Sequence, residues 1–370
     1  MKFLPSQEYM SRYSRHILLS DVGQVGQDKL TQAQVLVVGA GGLGCPVLQY
    51  LTAAGIGTLG IIDFDVVEIS NLQRQILFGT SSIGTNKALA AKARLEDLNP
   101  EIIIQAYPEK LTSDNALDLF KSYDIIVDGT DNFGTRYLIN DAAVLSNKPV
   151  VYGAIYKFEG QVSVFNYQNG PSYRCLFPIP PKEGSVANCS EVGVLGVLPG
   201  IIGSMQANEV LKIILEFDHV LSGKLFCYNT RTSQTTTLEI SKSVAEYEKI
   251  EARKNSFKED HYDATCELSV SEISIEEISD KKPIQFIDVR ELHEQPQLNL
   301  TNCIQIPLRE LEEHLNQIST HTNNIIFCKS GARSQIAVSI LQKHNINNCF
   351  SLKGGAAALM EHLKINAYER

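Results

Sequence analysis

An apolar run rich in valine, Gln34 to Gly39 (QVLVVG), leads into Gly-Ala-Gly-Gly-Leu-Gly and then into a helical stretch from Pro46 to Ala54. A second apolar run, Thr58 to Asp63, follows. Strand, glycine turn, helix, strand predicts a βαβ unit. Ala88 to Leu98 reads as another helix, closed by Asn99-Pro100. Ile102–Ala106, Asp124–Asp128 and Pro149–Gly153 read as buried strands, with a helix over Asp114–Lys121. This alternation predicts an α/β domain whose largely parallel sheet is covered on both faces.

Beyond Gly160 the pattern changes. Gln161 to Tyr167 alternates as an antiparallel strand, Ile202 to Leu215 reads as a helix, and Lys224 to Ile240 as a hairpin, so the sheet is expected to be mixed. Ser241 to Ser274 is polar, with charges of both signs. The expected division is a first domain over 1–245, a linker over 246–274 and a second, small α/β domain over 275–370. Strands of the second domain are expected at Ile284–Val289, Asn324–Cys328 and Cys349–Leu352, with a helix at Ala332–Lys343.

Composition narrows the function classes. A net charge of −9 disfavours nonspecific nucleic-acid binding. The N-terminus is too polar for a signal peptide. The weakly polar stretch Gly193–Met205 carries four glycines and Pro199 and is too short to span a bilayer. Eight cysteines in a 370-residue chain without a secretion signal read as reduced thiols. The expectation is a cytoplasmic protein with no nucleic-acid or membrane partner.

Gly39, Gly41 and Gly44 form GxGxxG between a strand and a helix, and Asp63 ends the next strand, 19 residues after Gly44. Such glycines let the backbone approach phosphate at a helix N-terminus, and an acid at that spacing binds ribose. Alone, this pattern would point to a nicotinamide dehydrogenase. Arg74 in SNLQRQ, Lys87 in GTNKA and Asp131 in GTDN redirect it. Loops that follow parallel strands share one sheet edge, so these residues can converge. Two cations and two carboxylates around phosphates suit metal-assisted phosphoryl or nucleotidyl transfer. Asp131 alone could equally cap the helix after it.

Here the sequence resembles the molybdopterin-synthase and thiamine-biosynthesis adenylyltransferases, relatives of ubiquitin-activating enzymes with a Rossmann-like nucleotide-binding domain. The resemblance covers roughly residues 8 to 240 and rests on RYSRHILL at 12–19, the run from Val35 to Gln75, GTDNFGTR at 129–136, SYRCLFPIPP at 172–181 and NCSEVGVLG at 188–196. It implies an ATP site lined by Gly41, Gly42, Asp63, Asp65, Ser70, Asn71, Leu72, Gln73, Arg74, Lys87, Asp131 and Asn132, with Mg2+ on Asp131. It also implies that Arg15 reaches the phosphates of the partner subunit in a homodimer. The implied reaction adenylates the C-terminal glycine of a small ubiquitin-like sulfur carrier ending in Gly-Gly. Cys189 stands where the resemblance places a cysteine that bonds covalently to the carrier or the sulfur donor.

Members of this family often carry two C-x-x-C pairs that hold zinc through four thiolates. The first pair reads Ser172-Tyr173-Arg174-Cys175, and only Cys266 lies between 241 and 275. No structural zinc is expected, although a mixed site using His261 is conceivable.

The second candidate site is Cys328, at the end of the apolar run NIIFC and followed by Lys329-Ser330-Gly331-Ala332-Arg333-Ser334. A cysteine at such a turn faces backbone N–H groups and a helix N-terminus, which stabilise a thiolate or persulfide. Lys329 and Arg333 add positive charge. The loop is one residue shorter than that of cysteine phosphatases and suits a single sulfur atom. FIDVRELHE at 286–294, CKSGARS and SLKGGAAAL at 351–359 resemble rhodanese sulfurtransferases. That implies Cys328 as the persulfide carrier, fed by a persulfide or thiosulfate donor, with Asp288 and Arg290 bracing the loop. Cys227, Cys303 and Cys349 read as structural.

The fused reading is adenylation followed by sulfur transfer to make a carrier thiocarboxylate. Two alternatives stand beside it: a ubiquitin-like activator with a thioester on Cys189, and a non-catalytic adaptor.

Overall fold

The computed structural model describes residues 7–181, 193–260, 262, 271–278, 283–292, 294–298, 300–329 and 331–362. The chain divides into two compact units, Met1–Ala264 and Thr265–Arg370.

The first unit begins with helices α1 (Gln7–Ile17) and α2 (Gly23–Gln32). Its sheet is built on the central strand β1 (Gln34–Val38), which pairs in parallel with β2 (Thr58–Ile62). Outside β2 lies parallel β3 (Ile103–Tyr107). On the other side of β1 follow parallel β4 (Ile125–Asp128) and β5 (Val150–Tyr156). The chain then turns back, and β6 (Glu159–Phe165), β7 (Lys224–Asn229) and β8 (Thr235–Glu239) extend the sheet antiparallel. The order is β3-β2-β1-β4-β5-β6-β7-β8, a mixed eight-stranded sheet.

Because side chains alternate along a strand, β1 supplies both cores. Val35 and Val37 pack with Leu48 and Leu51 of helix α3 (Gly44–Ala54) and with Ala91 and Leu95 of α4 (Lys87–Leu98). Leu36 and Val38 face Phe120 of α5 (Ala116–Lys121) and Ile139 and Ala142 of α6 (Phe133–Ser146). A sheet buried on both faces explains the near-continuous apolar strands. After the short α7 (Tyr173–Leu176), helix α8 (Val197–Ile214) starts five residues earlier than the sequence suggests. Its Pro199 sits in the first turn, where the missing N–H has no intrahelical partner to lose.

The segment expected to be linker is not uniform. Residues Val244–Ala252 form helix α9 on the first unit, where Ile250 and Phe257 are each 1% exposed. Tyr262 donates a hydrogen bond to the buried Asp141 at 2.8 Å. A helix that buries few residues leaves a polar surface, which in composition resembles a linker.

The second unit is a five-stranded, all-parallel sheet in the order β11-β10-β12-β13-β9. Its strands are β9 (Glu272–Ile273), β10 (Ile284–Asp288), β11 (Cys303–Gln305), β12 (Asn323–Phe327) and β13 (Cys349–Leu352). Edge strand β9 precedes the expected boundary at 275, because Ile273 pairs with Leu352. Helix α10 (Ala332–Lys343) follows β12, and α11 (Gly355–His362) follows β13.

Candidate active sites

The turn after β1 is shaped by two glycines. Gly39 has φ +91°, a left-handed conformation that favours glycine. A Cβ on Gly44 would lie 1.9 Å from the Gly39 carbonyl oxygen, so only glycine lets α3 start so close to the strand. Asp63, at the end of β2, ties this turn down: Oδ2 accepts the Ala40 N–H at 2.8 Å and Oδ1 the Asp65 N–H at 2.9 Å. Burial pushes its carboxyl above the ordinary aspartate value, while those two amides and Lys87 pull it down.

A cleft of about 250 Å³ opens at this sheet edge, where the loops after β1, β2, β3 and β4 meet. Gly41, Gly42, Asp63, Asp65, Asn71, Arg74, Lys87, Asp131 and Asn132 line it, so most of the expected ATP-site residues are brought together. Lys87 opens α4, whose N-cap Asn86 accepts the Leu89 N–H at 3.2 Å. Its Nζ pairs with Asp65 at 2.8 Å. The Arg74 guanidinium donates to the Ser70 carbonyl at 3.1 Å. Asn132, not Asp131, caps α6 by accepting the Thr135 N–H at 2.9 Å. The Asp131 carboxylate is thereby left exposed on the cleft wall, with no hydrogen-bond or ion-pair partner among the described residues.

Four expected residues do not line the cleft. Ser70 turns its hydroxyl to Glu68 at 3.1 Å, and Leu72 packs on the core. Gln73 lies against Gly196, where a Cβ would sit 2.2 Å from its carbonyl oxygen. The tight turn Ile69–Asn71 points successive side chains different ways, so a contiguous motif is not a contiguous wall. Arg15 is exposed on α1. The sequence reading missed Gln75, Glu109, Lys110, Leu111, Thr130 and Thr135, all on the cleft wall. Glu109–Leu111 follow β3, and the rule that brought the other loops together would have found them.

Below the cleft, Asp128 is 2% exposed and accepts two hydrogen bonds from Thr130. Burial pushes its carboxyl up and Arg136 pulls it down.

In the second unit, Cys328 follows β12 and is 1% exposed. Its Sγ accepts the Gly331 N–H at 3.2 Å and lies 3.8 Å from the Ser334 hydroxyl. Gly331 has φ +114°, which lets the loop curl over the sulfur. A Cβ on Gly355 would come 2.3 Å from the Cys328 carbonyl oxygen, so the second glycine of LKGG lets α11 seat against the loop. Asp288 and Arg290 form a buried bidentate pair, and Arg290 also donates to the Pro296 carbonyl at 3.1 Å. Arg333 does not simply add positive charge: Glu294 grips its guanidinium with both carboxylate oxygens. That hydrogen bond is the main cause holding the Glu294 carboxyl down at about 2.

Residues 13–249 match the ThiF family. The chain belongs to the ThiF family. Residues 273–362 match the rhodanese-like domain. The chain is 50% identical over 243 residues to a protein from Thermus thermophilus named sulfur carrier protein adenylyltransferase, a match covering 64% of this chain and 90% of that one. It is 38% identical over 372 residues to a protein of Mycobacterium tuberculosis named probable adenylyltransferase/sulfurtransferase MoeZ, covering 97% and 95% of the two. The crystal structure of Escherichia coli MccB with MccA-N7isoASN superposes with a TM-score of 0.56 at 25% identity, over 63% of this chain and 72% of that one.

Ser172 and Cys175, read above as an incomplete zinc pair, meet at one corner. The Cys175 sulfur accepts the N–H groups of Ser172 at 3.3 Å and Ser243 at 3.2 Å. Two backbone N–H groups thus meet the Cys175 sulfur, the one thiol of that corner among the described residues. Among the described residues no group of three His, Cys, Asp or Glu side chains could hold a metal. Cys189, His261 and Cys266 lie outside the described residues. Among the described residues no helix is long and apolar enough to cross a membrane.

Proposed function

We propose that this ThiF-family chain uses ATP to activate the C-terminal glycine of a small ubiquitin-like sulfur carrier ending in Gly-Gly, and that Cys328 carries the sulfur that replaces the adenylate. The observation that carries the reading is the convergence of Asp63, Arg74, Lys87 and Asp131 on one cleft beside a glycine turn. Hydride transfer has no need of two cations and a second free carboxylate, whereas nucleotidyl transfer does. Relatives with matching names along the chain support the same pairing of activities.

Each residue has a defined task. The glycine turn and the α3 N-terminus take up phosphate oxygens. Asp63 accepts hydrogen bonds from the ribose hydroxyls. Lys87 and Arg74 neutralise charge as the carrier carboxylate attacks the α-phosphorus and pyrophosphate leaves. The open Asp131 carboxylate fits Mg2+, which when bound offsets phosphate charge. Arg15, exposed on α1, completes the site of the partner subunit in a homodimer.

In the rhodanese-like unit a thiolate takes a sulfane sulfur from a persulfide or thiosulfate donor. The terminal sulfur of the Cys328 persulfide then attacks the acyl carbon and expels AMP, leaving an acyl-disulfide. A second thiol, Cys189, attacks the Cys328 sulfur, forms a disulfide and releases the thiocarboxylate; a cellular dithiol reduces the disulfide. The corner at Cys175 holds without structural zinc, and the protein is cytoplasmic.

The test is ATP–pyrophosphate exchange. It is expected to depend on a Gly-Gly carrier and to vanish in Asp131→Ala. Tight NAD binding with no effect of ATP would restore the dehydrogenase reading.

A further inference from the structure

Two buried charges lie under the cleft without lining it. Asp128 is 2% exposed and Arg136 is 9% exposed. Between them they hold every polar backbone and side-chain group of Thr130. Asp128 Oδ1 accepts the Thr130 N–H at 2.9 Å and its hydroxyl at 2.6 Å. Arg136 Nη2 donates to the Thr130 carbonyl at 2.9 Å. The pair closes on itself, with Arg136 Nε 3.7 Å from Asp128 Oδ2. The guanidinium carbon also lies 5.4 Å from the centre of the Tyr152 ring.

The same loop is wedged from its other side. A Cβ on Gly129 would lie 2.8 Å from the Gly39 carbonyl oxygen and 3.0 Å from that of Val38. The chain from Asp128 to Asn132 is therefore clamped at Gly129 by the glycine turn, at Thr130 by two buried charges, and at Asn132 by its cap on α6. Thr130, Asp131 and Asn132 all line the cleft, but Thr130 and Asn132 spend their side chains on hydrogen bonds, and the Asp131 carboxylate has none among the described residues.

Stability alone does not account for this clamp. A buried ion pair is often no better than an apolar pair of the same volume, whereas losing one partner costs heavily. What such a pair supplies here is direction: three hydrogen bonds fix one residue, Thr130, and the next residue carries an open carboxylate on the cleft wall.

We propose that Asp128 and Arg136 are positioning residues that set the Asp131 carboxylate, through Thr130, for its role in nucleotidyl transfer. This rests on the adenylation reading above. Neither side chain lines the cleft; both act through Thr130.

The test uses the full chain and two readouts. The first is amide hydrogen exchange over residues 129–132 without nucleotide or metal. The second is the kinetics of ATP–pyrophosphate exchange. Arg136→Lys keeps the charge but loses the fork that spans Asp128 and the Thr130 carbonyl. It is expected to speed amide exchange in that loop by about tenfold and to lower kcat by about tenfold or more, with the KM for ATP within about twofold of wild type. Thr130→Val removes only the hydroxyl bond and is expected to lower kcat by about threefold, again with KM held. If Arg136→Lys does not melt cooperatively, Thr130→Val decides alone. Unchanged kcat with unchanged loop exchange in the folded variants would overturn the proposal. Loss of pyrophosphate exchange in the wild-type chain would instead overturn the adenylation reading.

Discussion

Lys87 Nζ sits 2.8 Å from Asp65 Oδ2, with the lysine side chain 8% exposed and the aspartate 50% exposed. The backbone repeats the link, since the Lys87 N–H donates to the Asp65 carbonyl at 2.8 Å. A nearly buried ammonium held by one partner at a cleft mouth is prepaid electrostatic stabilisation for incoming phosphate. Lys87→Ala is therefore expected to lower kcat/KM for pyrophosphate exchange by about 10²-fold or more. Exchange within threefold of wild type would place the lysine in a structural role.

Gly44 tests the glycine turn by sterics. An alanine there drives its Cβ into the Gly39 carbonyl oxygen, 1.9 Å away. The strand and helix must separate, at an expected cost of about 2–4 kcal/mol in stability. ATP affinity should fall with it. Thermal melting and nucleotide titration of Gly44→Ala check both, and an unchanged melting temperature would contradict the geometry.

The parts of the first site that were legible in the sequence are those with a marker of their own. β1, the glycine turn and α3 were readable because apolar period and glycine spacing agree over one short stretch. Asp63, Arg74, Lys87 and Asp131 carry charge after strands, where a parallel sheet gathers its loops. Thr130 and Thr135 carry no charge to mark them, although both reach the cleft wall. Ser70, Leu72 and Gln73 belong to the motif yet turn away, because a tight turn spreads its side chains. The 244–262 segment looked like linker because α9 buries only Glu246 and Ile250. Glu294 and Arg333 are 39 residues apart, and no local pattern joins them.

That ion pair predicts a pH dependence. The Glu294 carboxyl lies at about 2 in the folded chain, below the ordinary 4.5, chiefly through its hydrogen bonds with Arg333. A lowered folded value means that the unfolded state binds protons first as pH falls. The contribution is full above 4.5 and is lost as pH drops from 4.5 toward about 2. Amide exchange at β12 in the full chain should show the loss in this window, and Glu294→Gln should flatten it. A variant with the wild-type pH profile would show that the pair adds nothing to stability.

Arg15 provides a test of assembly. An Arg15→Ala chain mixed with an Asp131→Ala chain should recover part of the exchange activity. In the mixed dimer one site carries both lesions and the other carries neither. Absence of recovery, with subunit exchange confirmed, would remove Arg15 from the partner's site.

The most direct test of the whole account is the mass of the carrier after incubation with ATP, a sulfur donor and Cys328→Ser. Serine keeps the size of the side chain and removes the sulfur nucleophile. Pyrophosphate exchange should stay near the wild-type rate, because Cys328 takes no part in adenylation. The carrier should show no gain from replacement of oxygen by sulfur, whether the donor is thiosulfate or a persulfide. Thiocarboxylate formed by Cys328→Ser at the wild-type rate would contradict the account and leave the second unit without its assigned role as sulfur source.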